Sequence, residues 1–455
     1  MPSSMSALSL FPHAPDDVVA QLGAEPVALP RQADVVVIGG GIMGAASAYY
    51  LAGAGLSTTL IERDKVSSQQ SGRNWGFVRT QYRDPFELPL AIEALSIWPE
   101  LEQELGQAIG WRRTGCIFVA ETDAELQSFA HWHEVTRDIA VDARMLSGPE
   151  LAGLMPSLRG QAPGALHTPS DGQAEPALAT TAFARAAMRR GVRVLDDCGA
   201  LAIETSAGRV SGVLTEHGLI RCGTVVCAAG LQSHRLLAPL GLALPQQSVR
   251  STVSLTAPLP PLSEACFCGF GIGLRQRADG SCIIAADSSS DIDLSLDSFR
   301  ASRFFLPGLL RYRSGFAFRL GRPLLDDLHE RLSVPKRERP VARRRPRIAA
   351  NEARAAKTGE SVRQLFTGAD GIEIVKSWAG QIDVMPDALP VLDSPSEIAG
   401  LIVATGFSGH GFGLGPAVGR HVASLASGAG PAAILAPLRF DRFARGTYSR
   451  PHAPL

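Results

Sequence analysis

The sequence lacks long apolar runs. No stretch reaches the roughly 18 consecutive apolar residues that a membrane-spanning helix needs. Residues 1–17 contain no basic segment followed by an apolar core, so they do not have the composition of a secretory signal. We therefore expect a cytoplasmic protein in which residues 1–30 form an irregular lead-in.

The sequence also lacks excess charge and paired cysteines. Its 44 Lys and Arg residues balance 44 Asp and Glu residues, which argues against a general nucleic-acid binder. The 7 cysteines include no C-x-x-C pair and no His/Cys cluster with the spacing of metal ligands. We therefore expect free thiols and no metal site. Because 455 residues exceed what one hydrophobic core usually supports, we expect two domains.

The most informative pattern that is present lies at residues 34–44, which read D-V-V-V-I-G-G-G-I-M-G. It predicts a strand, a tight turn and a helix. Gly39 permits the sharp turn, Gly41 lets the backbone approach a diphosphate, and Gly44 allows the helix to pack closely on the strand. The diphosphate would then lie at a helix N-terminus, where free N–H groups favour anions.

An acidic residue completes this unit. Glu62 follows 18 residues after Gly44 and closes a second predicted strand, where its carboxylate can accept hydrogen bonds from the ribose hydroxyls of an adenosine. The neighbouring Arg63 weakens the discrimination against an extra 2′-phosphate. The unit predicts a dinucleotide site with Ile42 and Met43 at its helix N-terminus. It does not distinguish NAD from FAD, and the alternative is a glycine turn without a ligand.

A second glycine-rich turn occurs late in the chain. Residues 400–419 read G-L-I-V-A-T-G-F-S-G-H-G-F-G-L-G-P-A-V-G and predict a strand, a loop and a helix that runs to about Ser427. A structural turn alone would not need five glycines in ten residues. We therefore expect the two turns to hold two regions of one large ligand.

Two shorter segments would extend this ligand site. Residues 67–76, S-S-Q-Q-S-G-R-N-W-G, are rich in hydroxyls and amides that can donate to a phosphate or to a ring edge. The alternative for them is an ordinary polar connection. Residues 224–230, T-V-V-C-A-A-G, predict a buried strand that ends in small residues, where a backbone can approach a ligand closely.

Together these motifs resemble the D-amino-acid oxidase superfamily of FAD enzymes. Both glycine turns, residues 67–74, residues 224–230 and the segment W-A-G-Q-I-D-V-M-P-D-A-L-P at residues 378–390 carry the resemblance. It covers about residues 33–430 and is greatest to the branch of monomeric sarcosine oxidase, glycine oxidase and the sarcosine oxidase β-subunit.

The resemblance implies an α/β fold, α+β overall, in which a Rossmann-like FAD-binding domain interleaves with a mainly antiparallel β-sheet substrate-binding domain. The expected boundaries are residues 31–80, 155–245 and 370–435 for the FAD domain, 81–154 and 246–369 for the substrate domain, and 436–455 for a C-terminal tail. FAD would be noncovalent, because covalently flavinylated relatives carry a cysteine just before the W-A-G-Q segment, where this chain has Lys376 and Ser377.

The residues expected to contact FAD belong to the glycine turns and the segments beside them. They are Gly39, Gly41, Ile42, Met43, Gly44, Glu62, Arg63, Ser71, Gly72, Arg73, Asn74, Ala200, Ala229, Gly230, Gly380, Gly406, Gly409, His410, Gly411, Phe412 and Gly413.

The activity that the resemblance implies is oxidation of the C–N bond of an amino acid, or of a secondary amine carrying a carboxylate, by hydride transfer to the flavin, giving an imine. The electrons would pass to O2 or to a protein or quinone acceptor. One alternative is the catalytic subunit of an opine or amine dehydrogenase complex that passes electrons to a partner. Another is a non-catalytic flavoprotein that acts in assembly or RNA modification.

Two arginines are the main candidates for catalysis. Arg79 resembles the arginine that grips the substrate carboxylate through a planar bidentate fork. Because one residue of spacing differs downstream, Tyr82 or Arg83 could hold this role instead. Arg73 occupies the position of a basic residue close to the flavin, and its alternative role is a surface arginine paired with a carboxylate.

Four further residues are candidates at the same site. Arg275 would supply a cation near the C4a/N5 face of the flavin. His410 would contact the ring or the substrate, although a buried, hydrogen-bonded histidine is nearly as good an interpretation. Trp378 and Gln381 would line the site. Where some oxidases have a lysine, this chain has Gly413, so the charge that supports the reduced flavin would come from the helix terminus alone.

One segment stands apart from these motifs. Residues 298–320 interleave arginines with aromatics, and residues 336–347 form the basic run K-R-E-R-P-V-A-R-R-R-P-R. One interpretation is a pair of helices and a solvated linker. The other is a docking surface at residues 298–347, for a partner subunit that takes electrons or for peripheral contact with a membrane.

Overall fold

The computed structural model describes residues 28–139, 141–287, 290–305, 316–346, 348–449 and 451. Most of the predicted lead-in at residues 1–30 therefore lies outside the described residues. Residues 306–315 of the segment with interleaved arginines and aromatics also lie outside them.

The strands, numbered along the chain, are β1 Val35–Ile38, β2 Thr58–Ile61, β3 Phe77–Val78, β4 Cys116–Ala120, β5 Arg144–Ser147, β6 Gly164–Thr168, β7 Gly172–Gln173, β8 Arg193–Leu195, β9 Ala200–Ser206, β10 Arg209–Thr215, β11 Gly218–Arg221, β12 Thr224–Cys227, β13 Gln247–Thr256, β14 Cys266–Gly269, β15 Ile272–Gln276, β16 Cys282–Ala286, β17 Ser290–Asp293, β18 Phe316–Arg319, β19 Ile374–Val384, β20 Val391–Asp393 and β21 Leu401–Thr405.

The α-helices are α1 Ile42–Gly53, α2 Gln70–Arg73, α3 Leu88–Ile97, α4 Leu101–Leu105, α5 Asp123–Val135, α6 Gly148–Leu154, α7 Pro176–Arg189, α8 Ser233–Leu237, α9 Leu296–Arg300, α10 Arg322–Ser333, α11 Arg339–Ala342, α12 Glu352–Leu365, α13 Gly411–Ala426 and α14 Arg442–Arg445. Short 3-10 helices occur at Trp98–Glu100, Gly230–Gln232, Ala238–Leu240 and Ala433–Leu438.

A six-stranded sheet carries the first glycine turn. Its strand order is β20-β21-β12-β1-β2-β8, and every pair is parallel except β20–β21 at the edge. Strand β1 is the fully buried run V-V-V-I, which is typical of a parallel strand covered on both faces. Helices α1, α3, α7 and α13 bury apolar side chains against one face. Helix α8 and the three-stranded antiparallel sheet β9–β11 cover the other face.

A ten-stranded sheet lies beside it. The strand order is β18-β17-β13-β16-β15-β14-β4-β6-β5, with β19 also paired to β13. Most pairs are antiparallel, and β4–β14 and β17–β18 are parallel. Val362 of α12 packs with Phe267 and Ile284 to form the apolar core of this layer. The Rossmann-like unit and the mainly antiparallel sheet confirm the predicted fold class.

Two strands pair in a different sheet from the one that the expected domain boundaries suggest. Strands β6 and β19 fall inside residues 155–245 and 370–435, the ranges expected for the FAD domain, yet both pair in the ten-stranded sheet. The domain boundaries stay a prediction. Among the described residues no helix is long and apolar enough to cross a membrane. All seven cysteines are buried and free, which confirms the expectation of free thiols.

Candidate active site

The two glycine turns open onto one cavity of about 1560 Å³. Its walls include residues that directly follow β1, β2 and β12, together with residues of β13 and β19. A pocket for one drug-sized ligand usually measures about 300–1,000 Å³. The cavity therefore has room for a dinucleotide together with a small substrate.

The first glycine turn leaves no space for side chains. Gly39 has a φ of +111°, and a Cβ there would lie 2.3 Å from the carbonyl oxygen of Ala228. A Cβ on Gly44 would lie 1.9 Å from the carbonyl oxygen of Gly39, so helix α1 rests directly on the turn. At the start of that helix, the N–H of Ile42 donates to Ser71 Oγ at 2.9 Å. The turn and the start of the helix line the cavity, so their backbone can approach a large anionic ligand.

The acid at the end of β2 is fixed in the cavity wall. Glu62 accepts hydrogen bonds from the N–H groups of Gly40 at 2.6 Å and Asp64 at 2.8 Å. Burial raises the pKa of Glu62, against the opposing effect of these two donors. The neighbouring Arg63 donates to the carbonyl oxygen of Pro340 at 3.2 Å, and burial lowers its pKa.

The segment after Glu62 returns along the cavity, as the sequence predicts. Ser67 and Ser68 line it with buried hydroxyl oxygens that have no hydrogen-bond partner among the described residues. Buried hydroxyls normally have a partner, so these two fit a phosphate-bearing cofactor. Arg73 donates to the carbonyl oxygens of Ser68 at 2.8 Å and Ala379 at 3.1 Å, which joins the segment to β19.

The second glycine turn meets the first. A Cβ on Gly415 would lie 2.5 Å from Ile42 Cγ1, and a Cβ on Gly419 would lie 2.8 Å from the carbonyl carbon of Ala46. Helix α13 therefore crosses α1 at very short range, and both helix N-termini reach the same cavity. Gly415, one of the five glycines of this turn, is therefore required by helix packing, as is Gly419 further along the helix.

Most of the predicted cofactor residues line the cavity. Those that do are Gly39, Gly41, Ile42, Met43, Glu62, Arg63, Ser71, Arg73, Asn74, Ala200, Ala229, Gly230, Gly380, Gly409, His410, Gly411 and Phe412.

Four predicted glycines are not in the cavity wall, namely Gly44, Gly72, Gly406 and Gly413. At Gly72 a Cβ would lie 2.2 Å from the carbonyl oxygen of Ser67, and at Gly406 it would lie 2.5 Å from Met385 Cγ. The carbonyl oxygen of Gly413, inside α13, accepts from Trp98 Nε1 at 2.8 Å. These glycines support the wall from behind.

Arg79 enters the cavity from a firmly held loop. Asp171 accepts from the N–H and hydroxyl of Thr80, each at 2.7 Å, and from the N–H of Gln81 at 3.0 Å. Burial raises the pKa of Asp171 to about 6. The Arg79 guanidinium donates to the carbonyl oxygen of Gln81 and forms no ion pair among the described residues. It is therefore available to an anionic group.

Arg83 also lines the cavity, but its guanidinium is already paired. Its guanidinium donates to Glu87 Oε2 at 2.7 Å, to the carbonyl oxygen of Arg79 at 2.6 Å and to that of His410 at 3.0 Å. The side chain is 2% exposed. Tyr82 has a φ of +54°, and its ring packs edge-on against Phe118 in the wall. Of the two arginines, Arg79 is the one that forms no ion pair among the described residues.

His410 precedes helix α13 in the cavity wall. Burial and the positive charges of Arg79 and Arg83 lower its pKa well below the usual value. Its Nδ1 lies 3.8 Å from Glu87 Oε2. The imidazole is therefore neutral at physiological pH. It can act there as a hydrogen-bonding group but not as a cation.

Arg275 and Trp378 do not reach the cavity. The Arg275 side chain is buried and forms an ion pair with Glu175 at 2.9 Å. It packs against Gly76 of the cavity wall, where a Cβ on the glycine would lie 2.9 Å from Arg275 Cζ. The expectation of a flavin-facing cation at this position was wrong, because Glu175 already neutralises it. Trp378 donates from Nε1 to the carbonyl oxygen of Arg73 at 3.1 Å, whereas Gln381 does line the cavity.

Sequence reasoning missed several residues of the wall. Asp383, inside the W-A-G-Q-I-D segment, accepts from the N–H of Gly406 at 3.0 Å, and burial raises its pKa to about 6. Phe118, Glu121 and Asp287 also line the cavity. The available signal for Asp287 was a single carboxylate placed directly after an apolar strand.

Comparison with known proteins gives consistent matches. A family model described as FAD dependent oxidoreductase matches residues 34–425. Sarcosine dehydrogenase of Homo sapiens is 32% identical over 236 residues, 50% of this chain and 26% of that protein. Sarcosine oxidase subunit beta of Rhizobium meliloti is 25% identical over 91% of this chain and 89% of its own length. The structure of L-amino acid deaminase from Proteus myxofaciens has a TM-score of 0.87 at 26% identity, over 92% of this chain and 96% of that chain.

The matched lengths differ between these relatives. The chain spans about a quarter of the human sarcosine dehydrogenase, with 26% covered, but most of the bacterial subunit, with 89% covered.

Proposed function

The chain belongs to the DAO family of FAD-dependent oxidoreductases, and we propose that it oxidises the carbon–nitrogen bond of an amino acid or of a secondary amine that carries a carboxylate. FAD, when bound, supplies the acceptor for the hydride that leaves this bond. The single observation that carries the choice of substrate is Arg79, an arginine in the cavity wall without an ion-pair partner among the described residues.

The chain's own residues would hold FAD along the cavity. The first glycine turn and the N-terminus of α1 suit the diphosphate, and Glu62 suits the adenosine ribose. The buried hydroxyls of Ser67 and Ser68 would gain the partners that they lack. The N-terminus of α13 would favour negative charge at the flavin end.

At the substrate end, Arg79 would orient the substrate by its carboxylate, through two parallel N–H donors. A hydride leaves only from a neutral amine, and an enclosed cavity favours the deprotonated form of an amine. The neutral imidazole of His410 adds no positive charge there. The product imine would be hydrolysed by water.

The experiment is an anaerobic reduction screen. The purified protein should be yellow and release intact FAD on heat denaturation. Its flavin absorbance should bleach with at least one amino acid or N-alkyl amino acid and should not bleach with the matching amine that lacks the carboxylate. Protein that is colourless and takes up no FAD would contradict the proposal, and so would equal bleaching by both amines.

A second candidate function is supported by a different observation. Four exposed leucines form an apolar surface, and we name Leu320, Leu325, Leu328 and Leu332 the leucine face; they are 77%, 64%, 45% and 80% exposed. A relative named as a subunit matches over 91% of this chain. These facts support a catalytic subunit that passes electrons to a protein partner docked on the leucine face.

The electron acceptor separates the two candidates. Rapid peroxide formation by the isolated chain would favour an oxidase that acts alone. Slow peroxide formation with fast reduction of an artificial acceptor would favour the subunit. Turnover of any amine would exclude the purely non-catalytic role in assembly or RNA modification. The cytoplasmic location stays a prediction.

A further inference from the structure

The cavity continues beyond Arg79 to carboxylates that the proposed reaction does not use. The Arg79 guanidinium carbon lies 5.3 Å from the centre of the Phe118 ring. Phe118 belongs to β4, and Glu121 follows directly after that strand. Asp287 follows β16, and its N–H donates to the carbonyl oxygen of Gly271 at 3.0 Å. Glu121 accepts from the backbone N–H of the same Gly271, so the two carboxylates share one end of the sheet.

The carboxylate of Asp287 has no charged partner in the described part of the chain. Its carboxylate has no hydrogen bond or ion pair there, and its open surface faces the cavity. Burial, aided by Glu121 and Glu125 and opposed by Arg79, raises its pKa to about 6. At neutral pH it is therefore ionised, and its exposed side chain offers the cavity a carboxylate that has no partner among the described residues.

Glu121 differs from Asp287 in its surroundings. Both side chains are exposed, but the carboxylate of Glu121 also accepts hydrogen bonds from the N–H groups of Phe270 and Gly271. Because it is already satisfied and more strongly screened by water, Glu121 contributes a diffuse negative potential rather than a specific partner.

We propose that the substrate is a cationic amino acid, whose carboxylate binds Arg79 and whose remote amino or guanidino group binds Asp287. The inference rests on the proposed function, since it names the substrate class of the same cavity. Along the cavity wall, the Arg79 guanidinium comes first, the Phe118 ring follows, and the carboxylates of Glu121 and Asp287 come last. A basic amino acid presents carboxylate, apolar chain and cation in the matching order, so each of its parts meets a complementary group.

A neutral side chain of the same length would leave Asp287 unpaired. The site should therefore discriminate against it, since a site built for a charged partner rejects an analogue that lacks the charge. Lysine and norleucine form a matched pair, because they have the same chain length and differ by the remote amine.

The first test is anaerobic flavin reduction by both enantiomers of lysine and norleucine. Lysine should reduce the flavin of the wild-type protein with a kcat/KM at least about 10-fold higher than norleucine does. Asp287→Asn should lose roughly 10- to 100-fold for lysine and little for norleucine. Asp326→Asn, at an exposed aspartate away from the cavity, is the matched control and should change neither value.

The second test measures binding without turnover. Isothermal titration of the FAD-loaded protein should show tighter binding of 6-aminohexanoate than of hexanoate, and Asp287→Asn should remove the difference. Because the pKa of Asp287 is raised to about 6, the preference should be present above that pH. It should fall as the pH drops through about 6, where the carboxylate gains a proton.

The outcomes separate this inference from the proposed function. Equal use of lysine and norleucine by the wild type, or an equal loss for both in Asp287→Asn, would overturn the substrate class. If no amine bleaches FAD, the proposed function fails. The comparison of 6-aminohexanoate with hexanoate then still decides whether Asp287 binds a cation.

Discussion

At the scale of the residue, the proposed substrate end of the cavity depends on the different partners of two arginines in one loop. Arg83 forms an ion pair with Glu87 and donates to two backbone carbonyl oxygens. Arg79 is aimed by the loop beside it, which Asp171 fixes through three hydrogen bonds. Identical side chains four residues apart therefore have different roles because of their partners alone.

We expect Arg79→Lys to lower kcat/KM for a carboxylate substrate by about 10- to 100-fold, since a lysine cannot form the bidentate contact, which is worth roughly 1.5–3 kcal/mol. The rate of anaerobic flavin reduction measures this. FAD content should not change. Arg113→Lys, at an exposed arginine outside the cavity wall, is the control. An unchanged KM and kcat in Arg79→Lys would remove Arg79 from substrate binding.

The residues that sequence reasoning placed correctly and incorrectly differ in a physical way. Arg79 could be predicted because a local motif carries it. The role predicted for Arg275 failed because its partner, Glu175, lies 100 residues away in sequence. Asp287 was missed for the same reason, since it lines the same cavity as Arg79 but lies far from it in sequence. A local sequence pattern does not show which charged residues pair when they lie far apart in the sequence.

At the scale of the element, the contact between α1 and α13 decides the shape of the cofactor site. Both helices follow glycine turns, and small residues let them approach until Gly415 meets Ile42. Their two N-termini are held together at one end of the cavity as a result. The strands and helices here were predictable from their periodicity and glycines. The closeness of the two helices was not, because it depends on which residues face each other.

We expect Gly415→Ala to destabilise the protein by about 1–3 kcal/mol, because its Cβ would lie 2.5 Å from Ile42 Cγ1 in a packed contact. Gly153→Ala is the matched control. This glycine also lies within a helix, α6, but nothing is within 4 Å of its added Cβ. It should stabilise by up to about 1 kcal/mol. Urea unfolding midpoints measure both changes, and equal shifts for the two variants would contradict the packing argument.

At the scale of the whole molecule, the segment at residues 316–346 joins the FAD site to an outer surface. Helix α10 is amphipathic with its polar side inward. Asp327 and Glu330 are 1% and 3% exposed, and Glu330 pairs with Arg343 at 2.8 Å. Pro340 in the same segment accepts from Arg63 at the cavity wall. The buried carboxylates of Asp327 and Glu330 therefore lie on the inner side of α10, and the leucine face lies on its outer side.

The composition of this surface favours a protein partner over a lipid surface. Several arginines of this segment form ion pairs with carboxylates of the chain. Arg331 pairs with Asp297 and Arg345 with Asp64, each at 2.8 Å. Paired arginines attract anionic lipid weakly, whereas exposed leucines lose water on contact with an apolar protein surface.

We expect the double variant Leu325→Glu, Leu332→Glu to abolish association with the proposed protein partner while leaving anaerobic flavin reduction unchanged. Protein purified under its native expression should elute in size-exclusion chromatography with a second chain at a fixed ratio, and the variant should elute as the single chain. Leu219→Glu, at a leucine of β11 that is 43% exposed, is the control and should retain the partner. Sedimentation of the wild type with anionic lipid vesicles, lost in the double variant, would instead assign the leucine face to a membrane surface.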